Sequence, residues 1–278
     1  MQWELQPDAA PRPCELPVAL LSGFAVYTTF RWPLAPRWLQ AHLERLRQNA
    51  ETLGLGFPKP DTALLELLWQ TLGNEETIAR LTITAEAASY GDLFLAGPLP
   101  YRIFLSTRPV PPPVETPISL QTIRYTRPLP LIKLIGIGEL IHFKRKALSA
   151  GFQDILLVNE QDHFTEASTA NFFALDHDGR LWTPEPARDG CLSGITRQQV
   201  LEAAKSLQKP HINQQPLRYA DLNSYQAAFL TNASQGLAPV GAIDHIQLPW
   251  PPEAQVLFRE LKSVWQKLSQ SEGVSPAS

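Results

Sequence analysis

Two stretches of sequence, TEASTANFFALD (residues 165–176) and LSGITR (residues 192–197), decide how the second half of this chain folds. The first is typical of a buried strand and carries Glu166 near its beginning. The second opens an amphipathic helix, predicted over residues 194–207. Because the first turn of a helix leaves backbone N–H groups without intrahelical partners, this segment combines a carboxylate with a helix end suited to an anion.

A lysine in an apolar setting lies upstream of these stretches. Lys133 stands in PLPLIKLIGIG, with two aliphatic residues on each side. Burial would favour the neutral, nucleophilic amine, although a lysine at a strand end can also extend its ammonium group to solvent. Pyridoxal 5'-phosphate needs a carboxylate for its ring nitrogen, a helix end for its phosphate and an amine for a covalent link. The order of these residues therefore predicts that cofactor.

Several further candidate ligands are ambiguous when each is taken alone. Thr196 could donate to a phosphate or simply cap its helix. His42 and Arg45 share one face of a predicted helix, so Arg45 could reach a phosphate or be an ordinary surface residue. The polar run at residues 231–234 follows an apolar strand, where it could face a ligand or form a turn.

Composition argues against several classes of function. The net charge of −3 gives no reason to expect nucleic acid or a membrane surface as a partner. The six His show no metal-ligand spacing and there are only two Cys, so we expect no metal site and a reducing compartment. No apolar stretch approaches the roughly 18–20 residues of a membrane span. The sequence therefore predicts a soluble, cytoplasmic protein.

The pattern of predicted elements indicates an α/β (α+β) protein with two domains. Residues 18–32 are predicted as a strand, and residues 134–150 as a helix whose start is weakened by two glycines. We predict an N-terminal α+β domain over residues 1–120, a Pro-rich linker over 121–132, a C-terminal α/β cofactor-binding domain over 133–270 and a disordered tail over 271–278.

The order of motifs resembles the class IV aminotransferase family, the fold type IV pyridoxal phosphate enzymes. The resemblance covers about residues 20–245. The matching motifs are YTTFR (27–31), His42 with Arg45-Leu46, Lys133 eighteen residues before Gly151 of AGFQD, Glu166 with Asn171, Thr183-Pro184, LSGITR (192–197) and TNASQGLAPV (231–240).

The resemblance implies a two-domain fold with the cofactor in the cleft between the domains, and a homodimer. It implies pyridoxal phosphate linked to Lys133, which would then act as general base and acid, while Glu166 pairs with the pyridine nitrogen. Asn171 would contact the ring oxygen, because Ile137 and Gly138 stand where the family often has a Tyr. The residues expected around the phosphate and the rest of the cofactor are Arg45, Ile195, Thr196, Asn232, Ala233 and Ser234.

Two short features resemble the aminodeoxychorismate lyases within this family. Thr28 stands where the aminotransferases usually carry Glu, so that the chain has Thr28-Thr29, and Asn232-Ala233 follows the apolar strand. The resemblance implies release of pyruvate and 4-aminobenzoate from aminodeoxychorismate, a step of folate synthesis, with Thr28 or Thr29 as a catalytic residue beside Lys133. A branched-chain or D-amino acid aminotransferase and a non-catalytic cofactor-binding paralogue are the alternatives.

Overall fold

The computed structural model describes residues 2–6, 9–12, 17–57, 62–208, 211–213 and 215–270, and the predicted tail at 271–278 lies outside this range. The chain forms two compact units. The first extends to Val110 and also contains Ile132–Ile137, and the second comprises Pro111–Leu131 and Gly138–Ser269. Both units contain helices and strands, which confirms the predicted α/β class.

The first unit is built on a five-stranded antiparallel sheet with the strand order β2-β1-β5-β4-β3. Its elements are β1 (Gln2–Gln6), β2 (Ala9–Arg12), α1 (Val18–Leu21), β3 (Ala25–Trp32), α2 (Pro36–Thr52), α3 (Thr62–Leu72), β4 (Thr77–Ala85), a 3₁₀ turn (Gly91–Phe94) and β5 (Tyr101–Arg108).

Helix α2 carries the polar residues that matter for the site. It begins with Pro36, whose fixed φ suits the first helical turn, and the chain leaves it through Gly54, which has a φ of +71°. Its buried face is mostly apolar, but His42 and Asn49 are buried with the leucines. Because α2 packs on β3, these polar groups lie against the sheet.

The segment that contains Lys133 belongs to the first unit because its backbone pairs with β3. The Tyr27 N–H donates to the Lys133 carbonyl at 3.0 Å, and the Ile135 N–H donates to the Ala25 carbonyl at 3.0 Å. The Lys133 N–H in turn donates to Asn49 Oδ1 at 2.9 Å. The division thus differs from the predicted boundary near residue 120, which placed Lys133 in the second domain.

The second unit is built on a larger mixed sheet with the strand order β11-β10-β9-β12-β13-β6-β7-β8. Strand β8 also pairs with β9, which closes six of the strands into a ring. Its elements are β6 (Ile118–Arg124), α4 (Gly138–Ser149), β7 (Asp154–Val158), β8 (Phe164–Ala167), β9 (Asn171–Asp176), β10 (Leu181–Trp182), α5 (Pro186–Asp189), α6 (Ile195–Ser206), β11 (Ile212–Asn213), a 3₁₀ turn (Tyr219–Ser224), β12 (Tyr225–Asn232), β13 (Gly236–Ile243), β14 (Ile246–Gln247) and α7 (Pro252–Ser269).

Alternation along β9 separates the two sides of this sheet. Phe172 packs with Phe164 in one buried cluster, whereas Phe173 stacks on Phe229 in a second cluster together with α6 and α7. Asn171 is two residues before Phe173, so it lies on the side that faces α6. None of the helices in the part of the chain that the structure describes is long and apolar enough to cross a membrane.

Candidate active site

Lys133, Tyr27 and Arg80 form a group on one face of the first sheet. Lys133 Nζ lies 4.8 Å from the centre of the Tyr27 ring, and Arg80 Cζ lies 3.7 Å from it. Thr29 pairs with Arg80 across β3 and β4, and it is two residues from Tyr27. Since directly opposite residues and alternate residues share a face, Thr29 lies on the same side of the sheet as these three residues.

Arg80 was not among the residues expected from the sequence. Its Nε is buried and makes no hydrogen bond within the described ranges of the chain. The sequence offered one signal for Arg80, which is a charged residue in the middle of TIARLTITA, a strand otherwise made of apolar and Thr residues. The structure therefore adds a cation next to the ring that Lys133 contacts.

Thr28 faces the other way, toward α2. Its side chain is 0% exposed, and its hydroxyl oxygen lies 2.7 Å from His42 Nδ1 and 3.1 Å from Arg45 Nη2. Burial lowers the pKa of His42 well below its usual value, and the positive charges of Arg45 and Lys133 lower it further. Burial also lowers the pKa of Arg45 to about 10, which leaves its guanidinium charged at neutral pH.

In the second unit, Glu166, Asn171 and Thr231 form a row across three neighbouring strands. Glu166 on β8 pairs with Asn171 on β9, and Asn171 pairs with Thr231 on β12. All three are buried, with exposures of 4%, 6% and 1%. The Thr231 hydroxyl has no hydrogen-bond partner among the residues that the structure describes. The row thus combines a buried carboxylate, an amide and an unpaired hydroxyl.

Glu166 and Asn171 also hold the loop that leads into α6. Glu166 Oε2 accepts a hydrogen bond from the Leu192 N–H at 3.2 Å, and Asn171 Nδ2 donates to the Leu192 carbonyl at 2.7 Å. A Cβ atom on Gly194 would overlap Asn171 Oδ1, so any larger residue there would displace the Asn171 side chain. This contact explains why the Glu166 and Asn171 motif and the LSGITR motif occur together.

Arg127 is a second residue that the sequence did not bring to notice. Its guanidinium forms an ion pair with Glu166 Oε1, and the two side chains are only 12% and 5% exposed. The pair neutralises a carboxylate that would otherwise be buried as an isolated charge. Arg127 was not expected from the sequence because it lies in a Pro-rich stretch that was predicted to be a linker.

The start of α6 lacks a side-chain cap. Gly194 is the N-cap residue and has no side chain that could accept a hydrogen bond from the first turn, in which Ile195 and Thr196 are buried. Arg197 is also buried and points elsewhere, because it donates to Thr183 Oγ1 at 3.2 Å and to the Pro184 carbonyl at 2.8 Å. This helix end can therefore receive an anion through its backbone N–H groups.

The polar run after β12 forms a turn. Asn232 Oδ1 accepts hydrogen bonds from the Ser234 N–H at 3.0 Å and the Gln235 N–H at 2.8 Å. Ala233 lies inside this turn, which connects β12 with β13. Asn232 thus uses its carbonyl oxygen to hold the turn, and its cofactor contact stays a prediction.

The expected site residues are divided between the two units. Thr28, Thr29, Arg45 and Lys133 lie in the first unit. Those in the second unit are Glu166, Asn171, Ile195, Thr196, Asn232, Ala233 and Ser234. Where the structure describes the chain, His, Cys, Asp and Glu do not gather into a group that could hold a metal ion.

Comparisons with known proteins identify one family. Residues 25–243 match the model described as amino-transferase class IV. A probable branched-chain-amino-acid aminotransferase from Rickettsia typhi is 26% identical over 230 residues, covering 74% of this chain and 73% of the relative.

Two solved structures share the fold. A Legionella pneumophila protein provisionally named 4-amino-4-deoxychorismate lyase superposes with a TM-score of 0.76 at 23% identity, covering 90% of this chain and 96% of the other. A hypothetical aminotransferase from Mycobacterium tuberculosis, in its PLP-bound form, superposes with a TM-score of 0.74 at 20% identity, covering 95% of this chain and 99% of the other.

Proposed function

Because the chain belongs to the class IV aminotransferase family, whose cofactor is pyridoxal 5'-phosphate, we propose that it is specifically a 4-amino-4-deoxychorismate lyase. The lyase proposal depends mainly on one observation, which is the different placement of Thr28 and Thr29. The first is buried against α2, and the second lies on the face that also carries Tyr27 and Arg80. A lyase has a use for a hydroxyl near its lysine, since a proton must be relayed.

The residues present fit this cofactor. Lys133 supplies an amine, Glu166 a buried carboxylate for a ring nitrogen, and the uncapped start of α6 a set of N–H donors for a phosphate. Arg45 carries a guanidinium of the kind that binds a phosphate. When bound, pyridoxal phosphate withdraws electrons from the substrate carbon that carries the amino group. The PLP-bound form of the Mycobacterium tuberculosis protein supports this choice.

The role assigned to Lys133 is proton transfer at Nζ. The amine removes the proton from the ring carbon that carries the amino group of aminodeoxychorismate. The enol side chain that leaves as pyruvate gains one proton, so the reaction balances without any added reagent. Aromatisation of the remaining ring to 4-aminobenzoate provides much of the driving force. The chain therefore has to position groups and move one proton.

Thr29 and Arg80 are assigned to the substrate. The Thr29 hydroxyl would hydrogen-bond the substrate or pass the proton from Lys133, and Thr28 is not assigned this role because its oxygen is already engaged by His42 and Arg45. Aminodeoxychorismate carries two carboxylates, and Arg80 offers a cation whose Nε makes no hydrogen bond within the described chain.

A valine substitution at Thr29 tests the lyase proposal. Thr29→Val should slow formation of 4-aminobenzoate at least about tenfold, whereas Thr29→Ser should restore most of it. Thr84→Val is a matched control, since Thr84 is a buried Thr of the neighbouring strand whose hydroxyl donates to the Phe24 carbonyl at 3.0 Å. Wild-type rates in Thr29→Val would refute the assignment of Thr29.

A branched-chain amino acid aminotransferase is the second candidate, and the Rickettsia typhi relative favours it. That reaction would use the same Lys133 but would need a 2-oxo acid as amino acceptor. Transfer of an amino group from a branched-chain amino acid, without release of 4-aminobenzoate from aminodeoxychorismate, would establish it. Wild-type protein that shows neither activity would favour the non-catalytic paralogue. A homodimer and a cytoplasmic location stay predictions from the resemblance and the composition.

A further inference from the structure

The hydroxyl of Thr28 connects two residues of α2. Its oxygen lies within hydrogen-bond distance of both His42 Nδ1 and Arg45 Nη2, at 2.7 Å and 3.1 Å. The Thr28 side chain is 0% exposed and His42 is 3% exposed, so neither group is available to a substrate in solution. The ring of His42 is further fixed by Phe30, whose ring centre lies 5.5 Å away.

Both bonds are compatible with a neutral histidine. A guanidinium can only donate, so the Thr28 oxygen accepts from Arg45. In the tautomer with its proton on Nε2, His42 Nδ1 accepts the proton of the Thr28 hydroxyl, and in the tautomer with its proton on Nδ1 the ring donates to the second lone pair of the Thr28 oxygen. Burial and the neighbouring cations lower the pKa of His42 well below its usual value, which keeps the ring neutral. Thr28 therefore accepts from Arg45 and is held by His42 in either tautomer.

We propose that Thr28 is a positioning residue, which together with His42 holds the Arg45 guanidinium in the orientation that binds the phosphate of the cofactor. The inference rests on the function proposed above, which requires pyridoxal phosphate. A guanidinium carries five N–H donors in a fixed plane, so the bond to Thr28 restricts the orientation of the whole group. Fixing it in advance removes the rotamer freedom that a long side chain would otherwise lose when the phosphate binds.

The test compares two ligands that differ only in the phosphate. Dissociation constants for pyridoxal 5'-phosphate and for pyridoxal are measured on the apoprotein. Thr28→Val should weaken binding of the phosphate ester about tenfold, or about 1.4 kcal/mol, and leave pyridoxal within roughly twofold of wild type. Thr28→Ser, which keeps the hydroxyl, should bind like wild type. Thr84→Val again serves as the control, because it removes a buried hydroxyl from the same sheet without touching Arg45.

The ³¹P resonance of the bound ester gives a second readout that general destabilisation would not move. It should shift in Thr28→Val and return in Thr28→Ser. His42→Gln provides an independent variant, in which we expect weaker binding of the ester and unchanged binding of pyridoxal. Equal losses for both ligands, or wild-type affinity of the ester in both Thr28→Val and His42→Gln, would overturn the proposal. If wild-type protein bound neither ligand, the proposed function itself would fail.

Discussion

Removal of Arg127 should expose the cost of the buried charge on Glu166. Breaking a buried ion pair from one side typically costs about 3–5 kcal/mol, because the other charge stays buried and unpaired. Glu166 is only 4% exposed, and it keeps the hydrogen bond from the Leu192 N–H. We therefore expect Arg127→Gln to lower the free energy of unfolding by about 3 kcal/mol, at the lower end of this range.

Urea unfolding of the apoprotein measures this loss. The exposed pair of Arg31 and Glu76, with side chains 41% and 60% exposed, provides a control in which Arg31→Gln should cost less than about 1 kcal/mol. The double variant Arg127→Gln with Glu166→Gln should recover most of the loss, since no charge is then buried. An Arg127→Gln variant as stable as Arg31→Gln would refute the reasoning.

Three further predictions follow from the second unit and from α2. Gly194→Ala should break the hydrogen bond from Asn171 to the Leu192 carbonyl, because the new Cβ atom displaces the Asn171 side chain. We expect the free energy of unfolding to fall by about 1–3 kcal/mol and pyridoxal phosphate to bind more weakly. An unchanged melting temperature and affinity would contradict this prediction. The pKa of His42 is lowered in the folded protein, so the unfolded chain binds more protons, and stability should fall as the pH drops below about 6.5. His42→Gln should reduce this loss of stability in urea titrations at several pH values. An unchanged pH dependence in this variant would argue against the prediction. Burial raises the pKa of the Cys191 thiol, so this thiol should not react while the protein is folded. In a Cys14→Ser variant, a thiol reagent should therefore label the chain only after unfolding. Fast labelling of the folded variant would contradict the structure.

The sequence indicated strand and helix around Glu166, whereas the contacts between these elements came from the structure. Glu166 and Asn171 lie at the facing ends of two consecutive strands, and the loop that they hold begins only twenty-one residues after Asn171. The strand, the turn and the helix each carried their own signal of periodicity and capping. The contacts to Leu192 then explain why these motifs belong together.

The setting of Lys133 could not be predicted in the same way, because it depends on a long-range pairing. Helix α4 begins at Gly138 rather than near residue 134, since Leu134 pairs with Val26 and Ile135 donates to Ala25. Local propensity contains no information about a partner strand that lies far away in the sequence. The predicted domain boundary differed from the structure for the same reason.

The roles within the threonine pair also required the structure. Strand alternation shows that Thr28 and Thr29 point to opposite faces, but not which face α2 covers. Arg80 and Arg127 were missed because each is a single charge without a neighbouring motif, and only the fold brings them to Tyr27 and to Glu166. Isolated charges in apolar strands or Pro-rich stretches are thus the weakest signals in this sequence.

Product analysis with aminodeoxychorismate and no amino acceptor tests the central claim most directly. The purified chain, loaded with pyridoxal phosphate, should release 4-aminobenzoate and pyruvate in equal amounts over many turnovers, and Lys133→Ala should abolish the release. No release, together with amino transfer from an amino acid to a 2-oxo acid, would contradict the lyase account and assign the chain to the transaminases of its family.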